Sequence, residues 1–189
     1  MKKNLMIALF ATFALALASL ACTISAGGPD YPQTPIPVST EAIGSFDQQL
    51  QAAQTAAAQS GLLSLSINET QITSLLAARL NEQTDPFILN PQVYLRDGQI
   101  QVYGKARKGD IEANVRIVLA VTVDSQGKPL ISVTTADFGP LPAPDGLNNT
   151  ISAFIDELFT GSLGPVATGM RLETISIADG VMTLTGKMQ

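Results

Sequence analysis

The chain has 189 residues, 46% of them hydrophobic, with 16 acidic and 11 basic side chains, one cysteine and no histidine. A net charge of −5 argues against a nucleic-acid partner, because that partner rewards clustered Lys and Arg. The missing histidine removes the usual base at neutral pH and the commonest transition-metal ligand, and a lone cysteine can form neither an intramolecular disulfide nor a thiolate zinc site.

Met1-Lys2-Lys3 opens the chain with positive charge, Leu5 to Leu20 is uncharged and apolar, and Ala18-Ser19-Leu20-Ala21 brings small residues up to Cys22. This is the order of a secretory signal peptide. The apolar run of about 16 residues is short of the roughly 20 that a membrane span needs. Gly27-Gly28-Pro29 follows it, not a basic cluster. The layout resembles the leader of bacterial lipoproteins, with Ser19-Leu20 in the less common order; plain secretion and a retained helix are the competing readings. The resemblance implies that Cys22 is acylated and becomes the first residue, on the outer face of the cell membrane or in the outer membrane. Two acyl chains anchor stably where one is marginal. Lys2 and Lys3 would leave with the leader, so nine bases would face 16 acids, a net −7.

Residues 1–21 are thus read as leader, 22–40 as a tether and 41–189 as one domain. The tether carries Pro29, Pro32, Pro35 and Pro37, and such composition favours extended, solvated chain. Its reach is roughly 25 Å as a coil and ~55 Å extended. A helix is predicted over 41–59, capped by Ser39 or Thr40, with a stripe of Ile43, Phe46, Leu50, Ala53 and Ala57. Gly61 ends it. Leu63, Leu65 and Ile67 alternate with serines as in a strand. Asn68 and Gln71 form a capping-box pair ahead of a helix that buries Ile72, Leu75, Leu76 and Leu80.

Hairpins follow. Asp97-Gly98 is a type I′ turn signal between Val93–Arg96 and Gln99–Lys105. Lys108-Gly109-Asp110 turns into a long strand over 111–123, apolar on both faces from Ile117 to Val121. A return strand covers 130–138. Residues 139–144 break the sheet before a predicted helix over 147–159, and 171–178 and 181–187 make a last hairpin through Asp179-Gly180. The class is α+β: a curved antiparallel meander of about six or seven strands packed with two or three helices.

Catalysis has little to stand on. No Gly-x-Ser-x-Gly elbow or phosphate-cradling Gly-x-x-x-x-Gly-Lys-Ser/Thr occurs. Most acids hold turns or helix starts, and no Asp-x-Asp-x-Asp-Gly calcium loop is present. No enzyme activity, cofactor or metal is expected. Lys105, Arg107 and Lys108 form a small basic group at one turn, read as solvated or as a contact for lipid headgroup phosphate.

Ser66–Ile72, Pro91–Gly98, Gln99–Gly104 and Phe138–Pro142 occur in an order that resembles the YpmS-like extracytoplasmic proteins and, more distantly, the LmeA-type phospholipid-binding proteins. The resemblance spans residues 62–187 and implies an elongated curved sheet around helices with an affinity for lipid. It carries over no site residue. Two functions follow. In the first, Val115, Ile117 and Leu119 face Leu147, Ile151, Phe154 and Leu158 across a cavity for lipid or another hydrophobe, although such stripes more often simply fill a core. In the second, the interior is packed, and an exposed strand face with Gln99, Gln101 and Tyr103 serves an unidentified protein partner in the cell envelope.

Overall fold

A computed structural model describes residues 24–143, 145 and 170–188. Among the described residues the architecture is α+β, with two helices, seven antiparallel strands and one short parallel strand. The chain order is β1 (Ile24–Ser25), α1 (Thr40–Ser60), β2 (Leu62–Asn68), α2 (Glu69–Asn81), β3 (Leu89–Arg96), β4 (Gln99–Lys108), β5 (Ile111–Val123), β6 (Pro129–Asp137), β7 (Met170–Ala178) and β8 (Val181–Met188). The helix predicted over 147–159 lies outside the described residues, so its stripe has no structural description here.

The strands divide between two sheets. In one, β3, β4, β5 and β6 form a meander, and β1 pairs parallel with the leading end of β5. In the other, β2 pairs with β8, and β8 with β7. The expected antiparallel meander of about six or seven strands is present as seven antiparallel strands among the described residues, four of them consecutive, divided between the two sheets. The split arises because β2 finds its partner far along the chain, with Ser66 and Thr183 hydroxyls 3.3 Å apart across the ladder. Local alternation specifies a strand, not its neighbour.

Each element forms for identifiable reasons. The Ser39 side chain accepts from the Ala42 amide at the start of α1, and Gly61, at φ 75°, closes the far end with its amide on Ala57 O. One face buries Ala42, Phe46, Leu50, Ala53 and Ala57, with Ala42 in the place expected for Ile43. At α2 the capping box is complete: Asn68 Oδ1 accepts from the Gln71 amide at 2.9 Å, and Gln71 Oε1 from the Asn68 amide at 3.0 Å. Asp97 and Asp179 take φ of 54° and 51°, each followed by glycine, as two-residue I′ hairpin turns require.

Both sheets and both helices contribute to one core. It includes Phe46, Leu50, Leu63, Leu65, Ile72, Leu76, Val93, Leu95, Val115, Ile117, Leu172, Met182 and Leu184. The apolar stretch of β5 behaves as its composition demands: Ile117, Val118 and Leu119 are buried in succession, beside a bulge in the pairing with β6.

The exposed edge of β3 is covered by side chains of α2. Thr73 Oγ1 accepts from the Val93 amide at 3.0 Å and donates to Val93 O at 3.4 Å. Glu69 Oε1 accepts from the Leu95 amide, and the Gly180 amide donates to Leu95 O. A strand edge with its backbone groups satisfied in this way cannot template further pairing.

Candidate functional site: a tyrosine groove beneath an N-terminal strap

Burial along the meander alternates. Val93 and Leu95, Ile100 and Val102, and Val115 and Ile117 face the core. Tyr94 and Arg96, Gln101 and Tyr103, and Asn114 and Arg116 therefore share the outer face. The Pro-rich segment read as a solvated tether lies across that face. Ala26 N–H donates to Glu112 O, and Asn114 N–H to Gly27 O, each at 2.8 Å. Asn114 Nδ2 then donates to Pro29 O at 3.2 Å, Tyr31 Oη to Asn90 O at 2.7 Å and Tyr94 Oη to Thr34 O at 2.8 Å. The Gln92 amide side chain bonds both backbone groups of Ile36, and the Ser39 amide reaches Ser74 Oγ.

Prolines lack N–H donors, but their carbonyls still accept. The outer face supplies the donors that composition alone could not reveal. Gly28 marks the closest approach: at φ 108°, a Cβ there would stand 2.3 Å from Asn114 O.

Between strap and sheet runs an open groove of about 580 Å³, lined by Asp30, Tyr31, Gln33, Tyr94, Arg96 and Tyr103, with Pro32 and Gln101 completing it. All three tyrosines of the chain meet here. Tyr94 and Tyr103 are edge to face, centroids 5.7 Å apart at 88°. The Arg96 guanidinium lies 5.8 Å from the Tyr94 ring centre, and that of Arg116 lies 5.7 Å from Tyr103. The result is a four-residue ladder, Arg96–Tyr94–Tyr103–Arg116, running across β3, β4 and β5.

The ladder is braced from behind. Glu69 pairs with Arg96, Nη2 to Oε2 at 3.1 Å and Nη1 to Oε1 closer still, which ties it to the start of α2. Arg116 Nη2 reaches Gln101 Oε1 at 3.5 Å, while its buried Nε has no hydrogen-bond partner among the described residues. Burial raises the pKa of Tyr31, with a smaller contribution from Tyr94. Burial also raises that of Tyr94, helped by the negative charge of Glu69. Both phenols therefore stay protonated at neutral pH, with their protons committed to backbone carbonyls. The groove offers ring faces, lone pairs and one lining cation, Arg96, with Arg116 behind the Tyr103 ring.

The residues expected to line an interior cavity divide. Val115, Ile117 and Leu119 lie side by side on the core face of β5 and are buried in the common core. Their expected opposite wall, Leu147, Ile151, Phe154 and Leu158, lies outside the described residues, as does Cys22. Tyr103 and Gln101 do line the groove, on the face expected to serve a partner. Sequence reading missed Tyr31, Tyr94 and Arg96. Alternation puts Tyr94 and Arg96 on the outer face of β3, but nothing local brings Tyr31 over them.

Among the described residues no cluster of three acidic side chains is arranged to hold a metal, and no helix is long and apolar enough to cross a membrane. No family model, curated protein or solved structure matches this chain.

Proposed function

We propose that the chain is an extracytoplasmic lipoprotein, anchored through acylated Cys22, whose body is a non-catalytic partner-binding module of the cell envelope. The observation that carries this reading is the Arg96–Tyr94–Tyr103–Arg116 ladder, of which Arg96, Tyr94 and Tyr103 line an open groove together with Tyr31. Tyrosine and arginine are the residues that dominate protein–protein hot spots, because they bury much area at low entropic cost. The packing of Val115, Ile117 and Leu119 into the core favours an external binding face over an internal one. The apolar stripe at Leu147, Ile151, Phe154 and Leu158, with the resemblance to LmeA-type proteins, supports a second reading in which a lipid is the ligand.

A photo-crosslinking residue placed at Gln101 in the full chain, expressed in its own membrane, tests the proposal. The expected result is one discrete protein adduct, lost when Tyr103→Ala is added and not formed from the same probe at Gln126. Adducts that ignore Tyr103→Ala would contradict it. Co-purified phospholipid at fixed stoichiometry in native mass spectra, with no protein adduct, would favour the lipid reading instead.

A further inference from the structure

The strap decides where the anchor leaves the body. β1 runs parallel to β5, with Ile24 opposite Ile111 and Ser25 opposite Glu112. Cys22 stands two residues before Ile24, a span of at most about 7 Å. In a parallel pair both strands start at the same end. β1 therefore begins beside the β4–β5 turn, Lys108-Gly109-Asp110, not at the end of a long tether.

Resting on the acylated Cys22 proposed above, we propose that the β4–β5 turn is a lipid-docking surface that holds the body against phospholipid headgroups in one fixed orientation. The chemistry of this end fits that partner. Ile111 is 42% exposed at the very start of β5. Lys108 stands opposite it in the ladder, Arg107 opposite Glu112 and Lys105 opposite Asn114, with Asp110 and Glu112 as the local acids. Glu112 Oε1 accepts from Lys105 Nζ at 2.8 Å, and Oε2 from Arg107 Nη2 at 3.1 Å. Lys108 has no ion-pair partner among the described residues. Three cations against two acids leave one positive charge at the lipid-facing end of an otherwise acidic protein.

The division of labour follows from magnitudes. A single surplus charge adds only about 1 kcal/mol near an anionic surface, so affinity comes from the acyl chains. The turn supplies orientation: Ile111 reaches the headgroup boundary, and long cationic side chains extend to phosphates. The far end of β5, at the β5–β6 turn containing Gln126, then lies at the other end of a strand about 40 Å long.

The test uses the full acylated chain, extracted from membrane and reconstituted into phosphatidylcholine vesicles containing phosphatidylglycerol. Acylation consumes the only natural thiol, so Asp110→Cys and Gln126→Cys each accept one fluorophore. A nickel-chelating lipid should quench the label at 110 several-fold more than the label at 126. Adding Ala26→Pro and Gly28→Ala, which remove the donor to Glu112 O and crowd Asn114 O, should release the strap and abolish that difference while the protein still floats with vesicles. Equal quenching at both positions in the parent chain overturns the proposal, as does a difference that survives strap release. Intact mass separates the two failures: acylated protein with equal quenching refutes only the docking surface, whereas an unmodified Cys22 refutes the anchor as well.

Discussion

Gly28 and Glu112 both sit where the strap meets β5. A side chain at Gly28 would need both an unfavourable φ and space that Asn114 O already occupies. Gly28→Ala should therefore cost about 1–3 kcal/mol locally, read as faster hydrogen exchange at the Asn114 amide that donates to Gly27 O. Glu112 is held below its usual pKa of 4.5 by hydrogen bonds from Lys105 and then Arg107. A carboxylate with a lowered folded-state pKa contributes stability above its unfolded value and loses it as pH falls through the folded one. The contribution should be present at neutral pH and fade below pH 4.5. Glu112→Gln should cost about 1 kcal/mol at pH 7 and nothing in acid. Denaturant unfolding of both proteins across that range checks the sign.

Among the elements, α2 does two jobs. It closes the edge of β3 and braces the groove through Glu69. Thr73→Val keeps the volume but leaves both backbone groups of Val93 without partners, at an expected cost of about 1–3 kcal/mol in urea titration. Asn68→Ala breaks the capping box and should cost about 1 kcal/mol. Elements of this kind were legible because their signals are local. Asn68 and Gln71 stand three residues apart, Asp97-Gly98 and Asp179-Gly180 mark their turns, and Ile100 and Val102 alternate with Gln101 and Tyr103. What stayed hidden depends on distant partners. Nothing near Leu63 announces β8. Nothing in a run of prolines announces that Asn114, Tyr94 and Gln92 will hold it, because the donors lie more than 50 residues away. Two of the eight groove residues, Gln101 and Tyr103, were legible from strand alternation, whereas Tyr31 arrives only when the strap folds down.

For the molecule as a whole, the account joins an acyl anchor, a short exit beside β1 and a binding groove under the same strap. Fastening the strap to β5 builds one wall of the groove and, if Cys22 is acylated as proposed, would also fix the body at the membrane. Releasing the strap should therefore weaken partner capture as well as orientation, measurable as loss of the Gln101 adduct in the Gly28→Ala chain. The membrane half of this arrangement depends on what is bonded to one sulfur. Intact-mass analysis of the full protein extracted from membranes addresses it most directly. The account predicts a chain beginning at Cys22 and bearing thioether-linked diacylglycerol. A chain that retains its leader, or that starts elsewhere with an unmodified thiol, would contradict it.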